Sequence, residues 1–317
     1  MESHTLIEPR GGGVNQCTTT TPVENSTPST TTPVPDTPDT SKSRDIVKRR
    51  IPMGALVPSV TVEAYAGAVR CPTAQRSQGR AIGYITRMIT VQAGTLVVYS
   101  DIGCPWAHAA VSRLHRARTR LGLDEDVQFD HRSFPLELVN ERPTPKLTLD
   151  AEIPVVGAME PDAGWQLWKR PDYEYPVSTL LALEAVQLAK DQGLRASELL
   201  DRALRVAFFG QSRCISLRHV VLEVASECDG VDVDALVAGL DDGRARQRVL
   251  DQFARGCGND VKGSPHVFSP GLDAHNPGVK MRWDGEKEGG YPVVEDDDPS
   301  VYDDLLRASA SSSSTRS

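Results

Sequence analysis

The chain has 317 residues, 39% of them hydrophobic, which suffices for one sizeable core or two modest domains. Its net charge of −8 is uneven: residues 1–90 hold 10 Lys/Arg against 7 Asp/Glu, and the remainder 25 against 36. An acidic body argues against a nucleic-acid partner, since backbone phosphates are held by clustered Lys and Arg, and no run of about 18 apolar residues offers a membrane span.

The N-terminal MESHTLIEPRGGG lacks the basic start and apolar stretch of a secretory leader. Cys17, Cys71, Cys104, Cys214, Cys228 and Cys257 lie far apart, with neither a disulfide framework nor metal-ligand spacing. A reducing, cytoplasmic setting is expected, with no bound metal and most of these thiols serving as small hydrophobes.

Residues 18–40 contain 17 Thr, Ser or Pro in 23 positions, too little apolar surface to offset the entropy of ordering. Lys48, Arg49 and Arg50 read as a solvated linker run, with a docking patch as the alternative. Residues 51–90 show no sustained period, so 1–90 is expected to be disordered or irregular. Order begins near Gly94. Leu96 to Tyr99 is a continuous apolar run, as in a strand buried on both faces. Ala107, Val111, Leu114, Ala117 and Leu121 then recur at helical spacing, with Pro105 in the first turn and Gly122 as the stop.

Val127 to Phe134 reads as a second strand, with Val127, Phe129 and His131 on one face. Prolines 143, 145, 154 and 161 mark residues 136–160 as a loop. Helices follow through Leu180–Leu188 before Gly193, through Leu199–Phe209 up to Gly210, around Val220–Val224, and around Val249–Phe253. Val261–Phe268 is a turn feeding a strand, Val279–Trp283 another strand, and Pro299–Ala308 a closing helix. The insert and the first helix are expected to share one seam through Leu114, Leu121, Leu181, Leu204 and Phe208.

Cys104 stands where the first strand gives way to the first helix. A thiol there meets unpaired backbone N–H groups and the positive end of the helix dipole, which favour thiolate, so a depressed pKa is expected. His108, one turn on, is a candidate proton carrier, weighed against a satisfied histidine of the helix. Gly263-Ser264-Pro265 opens the later strand and gains weight only beside the Cys104 motif.

These residues resemble the DsbA-like thioredoxin-fold family, which includes cytoplasmic dithiol oxidoreductases and 2-hydroxychromene-2-carboxylate isomerases. The likeness covers about 94–268, with a weaker tail to about 308. Asp101-Ile102-Gly103-Cys104-Pro105-Trp106 resembles the strand–active-site junction, the helices of 161–256, including Ala207-Phe208-Phe209, resemble the helical insertion, and Val261 to Pro265 resembles the cis-proline loop. The resemblance implies an α/β thioredoxin-like fold over 94–308 with a helical insertion at about 161–256, following the region expected from composition to be disordered. A short tail at 309–317 is expected to be disordered as well. The resemblance also implies a cis Ser264–Pro265 bond, with the Ser264 backbone, Pro265, Pro105 and Trp106 meeting the substrate.

A dithiol member carries its second cysteine three residues after the first, where this chain has Ala107. Local two-cysteine cycling is therefore lost. Cys104 as a single reactive thiol remains, released by a small thiol or by a distant cysteine (Cys214, Cys228 or Cys257). The alternatives are a transferase or isomerase using glutathione or an equivalent thiol, although such relatives usually carry Ser at the first motif position, and a non-catalytic binding module. Partners are then small thiols or disulfides, or protein thiols.

Met88, just upstream of the first strand, is one candidate for a natural start, and residues 1–87 are expected to be dispensable for folding. A chain beginning there should melt within about 4–8 °C of the full chain, the shift produced by ~1 kcal/mol in a small domain. A larger fall in a thermal scan would show that the first 87 residues contribute to the fold.

Overall fold

A computed structural model of the chain describes residues 89–258, 261–287 and 289–311. The expectations for 1–88 and for 312–317 lie outside the described residues. Strand β1 (Thr95–Ser100) is buried along nearly its whole length and sits inside a four-stranded sheet of order β2-β1-β3-β4. It runs parallel to β2 (Gln128–Ser133) and antiparallel to β3 (His266–Ser269), which pairs antiparallel with β4 (Leu272–His275). Parallel neighbours need a crossover, and helix α1 (Pro105–Leu121) supplies it. Pro105 opens that helix where its missing N–H costs nothing. Gly122 closes it in the left-handed conformation, its N–H donating to Arg118 and Thr119 carbonyls.

The stretch 136–160 corrects the expected loop. It holds a short helix α2 (Leu136–Val139) and a full helix α3 (Lys146–Met159). Pro145 caps α3 from outside, and Pro154 sits within it, removing one backbone hydrogen bond. The helix persists because Leu149, Ile153 and Val156 bury one side against neighbouring apolar clusters. After it come α4 (Leu180–Ala189), α5 (Leu194–Phe209), α6 (Arg218–Ser226), an unanticipated α7 (Val233–Asp241) and α8 (Arg244–Gly258). Between β4 and the closing helix α9 (Ser300–Ser311) stands a separate hairpin of β5 (Val279–Asp284) and β6 (Tyr291–Asp297). Helix α9 outruns its expected end because Ser309 is buried and its carbonyl accepts the Gly94 N–H at 3.0 Å.

The expected common seam does not form. Leu114 packs with Leu96, Val98, Phe129, Val267 and the α9 residues Tyr302, Leu305 and Leu306, with Leu121 at the edge of that cluster. Leu204 and Phe208 belong to a second core with Leu183, Val186, Val221, Leu236 and Val249, and Leu181 lies against it. One face of the sheet therefore buries α1 and α9, while the insert builds a core of its own. Among the described residues no helix is long and apolar enough to cross a membrane.

Phe208 lies 4.7 Å from Phe209, ring to ring, and 5.9 Å from Tyr175. Phe208→Ala should cost about 3–5 kcal/mol through lost burial plus a cavity. Exposed Arg202→Ala should stay within about 0.5 kcal/mol. Urea denaturation of the two variants checks both values.

Candidate active site

The site is built where β1 ends. Asp101 ties down the turn that follows: its Oδ1 accepts the Gly103 N–H at 2.8 Å and its Oδ2 the Leu136 N–H at 2.6 Å. Its own N–H donates to Ser264 Oγ at 2.9 Å, and its carbonyl accepts the Cys104 N–H at 3.3 Å and Arg205 Nη1 at 2.9 Å. Gly103 allows the close approach of the segment before α4, since a Cβ there would stand 3.0 Å from Thr179 Cγ2. The turn delivers Cys104 to the N-cap of α1, with φ −90° and ψ 116°.

The Cys104 thiol donates to the Ser264 carbonyl at 3.2 Å. Ser264 precedes Pro265 through a cis peptide bond, and Pro265 is buried. Four of the residues singled out in the sequence, Cys104, Pro105, Ser264 and Pro265, are thus brought to one place from opposite ends of the fold. Trp106 is adjacent and buried, its Nε1–H donating to Glu152 Oε1 on α3 at 3.0 Å. Ala107 is fully buried beside them in an apolar cluster with Ala109 and Val156.

The thiol is not the low-pKa group expected. Only 3% of Cys104 is exposed, and burial pushes its pKa from the ordinary 9.0 up to about 12. The Glu152 charge adds to the rise, and the Ala107 N–H opposes it. A helix terminus contributes roughly 0.3–1 kcal/mol, too little to outweigh desolvation of a thiolate. Asp101 and Glu152 are themselves raised, both chiefly by burial.

His108 occupies a different environment from the proton carrier envisaged. Its ring stacks on Phe209 at 5.0 Å and meets Trp165 edge-on at 4.5 Å. Its Nε2 lies 3.1 Å from the Ala163 carbonyl, which can only accept, so that nitrogen carries the proton. Burial holds its pKa down at about 3, so the ring is neutral and its one N–H is committed.

Three participants escaped sequence reading. Asp101 lay inside the quoted motif, but its role depends on partners at Leu136, Ser264 and Arg205. Arg205 donates to Ser100 Oγ at 2.8 Å and pairs with Asp201 at 2.7 Å, both fully buried, so the insert grips the end of β1. Glu152 sits on the helix that was read as a loop. Among the described residues no group of three or more His, Cys, Asp or Glu is arranged to hold a metal ion.

The DSBA-like thioredoxin domain matches residues 95–287, which is more than half of the chain. The chain belongs to that family. No curated protein matches it. Among solved structures, this DSBA-like chain is similar to the cytosolic disulfide reductase DsbM of Pseudomonas aeruginosa with GSH, at 15% identity and TM-score 0.44, covering 55% of this chain and 84% of that one. A probable DsbA oxidoreductase of Streptomyces coelicolor shows 20% identity and TM-score 0.48, covering 70% and 91%. A 2-hydroxychromene-2-carboxylate isomerase shows 14% identity and TM-score 0.43, covering 57% and 87%.

Removing the cation of the buried pair should expose how much the site leans on the insert. Arg205→Met leaves the Asp201 carboxylate buried without its partner, at a cost of about 3–5 kcal/mol. Adding Asp201→Leu should recover most of that loss in urea denaturation, because the orphaned charge is gone.

Proposed function

We propose that this DSBA-like protein exchanges thiols and disulfides through Cys104 alone, in the cytoplasm, with glutathione or an equivalent small thiol as co-substrate. The observation that carries the reading is the Cys104 thiol held 3.2 Å from the Ser264 carbonyl at the head of α1, with Ala107 where a second thiol would stand. As Cys104 attacks a disulfide R–S–S–R′, its proton leaves to solvent, a Cys104–S–S–R bond forms and R′S⁻ departs. A second small thiol then attacks the R sulfur, forming a new disulfide and returning Cys104 as thiolate, which takes up a proton. No electrons remain on the protein. The Ser264 backbone is assigned to hold the incoming chain beside the sulfur, Pro105 to open the helix, and Trp106 to wall one side. His108 is assigned a packing role, because its proton is committed to Ala163.

The burial of Cys104 favours a second reading, a non-catalytic binding module in which the cysteine is a packed hydrophobe. Incubation with oxidised glutathione separates the two. Exchange requires a mixed disulfide at Cys104 by mass spectrometry, absent in Cys104→Ser, and Ala107→Cys should accelerate turnover of a small disulfide with excess reduced thiol. A transferase or isomerase would bind the thiol without that adduct, and a binding module would show neither.

The direction of the pKa shift adds a pH signature. Native Cys104 should alkylate about tenfold faster per pH unit from neutrality upward, since the thiolate is the nucleophile and its pKa lies well above that range. A thiol retained more tightly in the folded state contributes stability below about pH 9.0 that is lost as pH rises towards 12. A plateau in alkylation near pH 7 would contradict the raised pKa.

A further inference from the structure

The β5–β6 hairpin stands outside the four-stranded sheet, and it packs on α3 and on the apolar cluster that includes the thiol. Val279 and Met281 of β5 and Val294 of β6 lie on the cluster formed by Cys104, Trp106, Ala107, Ala109 and Val156. Met281 and Val294 are cross-strand partners, and Val279, Met281 and Trp283 form the less exposed stripe of β5 while Lys280, Arg282 and Asp284 are exposed. An isolated two-stranded hairpin is marginal in water, so this one depends on what it touches. At its base Asp298 N–H donates to the Gly278 carbonyl at 2.7 Å, and Gly278 leaves no room for a side chain there. At the end of β6, Asp297 takes Arg113 of α1 through two bonds of 2.5 and 2.8 Å, while Arg113 Nε pairs with Glu160 at 3.0 Å.

We propose that this hairpin is a cover over Cys104: it closes on the thiol through Val279, Met281 and Val294, is latched by Asp297 on Arg113, and must lift for a disulfide to reach the sulfur. This deepens the exchange reading above and rests on it for the identity of what enters. The acidic groups that bear on Cys104 are Asp101 from the end of β1 and Glu152 from α3, and Lys287 in the hairpin turn bears on Glu152. Lifting the hairpin returns water to the sulfur and moves Lys287 away, and the return of water removes the largest cause of the raised thiol pKa. Observed reactivity is then the reactivity of the open form scaled by its population.

The latch can be weakened without orphaning a buried charge, because Arg113 keeps Glu160 when Asp297 becomes Asn. A second variant, Met281→Ala, loosens the apolar contact instead and leaves every ion pair in place. Alkylation of Cys104 in the full chain by iodoacetamide, in which the thiolate displaces iodide and its proton goes to solvent, is followed at that site by mass spectrometry. Amide hydrogen exchange of residues 279–284 and 291–297 is measured in parallel, with circular dichroism to confirm the fold. Both variants should exchange faster in the hairpin and alkylate faster at Cys104, by about tenfold for ~1.4 kcal/mol taken off closure. Faster hairpin exchange with unchanged alkylation in both variants would overturn the proposal, as would unchanged hairpin exchange in both. Oxidised glutathione then separates this result from the reading it rests on. Faster alkylation without any mixed disulfide would leave the cover standing and sink exchange. A mixed disulfide formed equally fast in wild type and variants would leave exchange standing and sink the cover.

Discussion

The arrangement depends on one residue whose polar groups are satisfied without water. Asp101 is buried, and its N–H, its carbonyl and both carboxylate oxygens are bonded to Ser264, Arg205, Cys104, Gly103 and Leu136. A buried backbone group or carboxylate left unpaired costs several kcal/mol, so the turn is favoured only when most of these partners arrive together. Those partners come from the loop before β3, from α5, from the turn itself and from α2. The strand end, the insert and the cis-proline loop therefore converge on Cys104 through a shared hydrogen-bonding requirement.

That same enclosure sets the chemistry. Helix dipole and backbone N–H groups favour a thiolate, but they act on a sulfur withdrawn from water and faced by acidic groups at positions 101 and 152. Desolvation wins, and the thiol in the closed form is held protonated. On the proposed reading, reactivity in such a site is a property of a less populated open form, and the element able to open is one that lies outside the sheet. The sheet cannot play that part, since β1 is covered on both faces. The hairpin, with half of β5 facing away from the protein, can.

The insert works differently. It carries a core of its own, joined to the sheet through charged bridges as well as apolar contact. Arg205, paired with Asp201, reaches the end of β1, and Glu198 accepts the Phe129 N–H at 2.7 Å while pairing with Arg118 at 2.8 Å. Buried ion pairs of this kind add little net stability against apolar replacements, but an arrangement that separates them leaves a buried charge uncompensated, at a cost of about 3–5 kcal/mol. For this chain they hold the insert in register on β1 and β2.

The features readable along the chain were local ones. The apolar run of β1 and the helical period of α1, with Pro105 and Gly122 at its ends, were legible because strand and helix periodicities repeat over a few residues, while the pairing of that motif with Ser264-Pro265 came from the resemblance to the DsbA-like family. The helical period likewise marked α4, which gives way to a short 3-10 turn before Gly193, and α5, ended by Gly210. Helix α3 was illegible because its prolines mimic a loop while its supporting contacts lie in other elements, and β4 because none of its residues is buried. The division of the expected seam into two cores, the commitment of His108 to Ala163, and the raised pKa of Cys104 were decided only by the tertiary structure. Each depends on which distant side chains exclude water from a given atom, and desolvation has no period along a chain. A cysteine at a helix start reads as reactive from its neighbours in sequence, whereas its ionisation is set first by burial and then by Glu152, brought to it from 48 residues away.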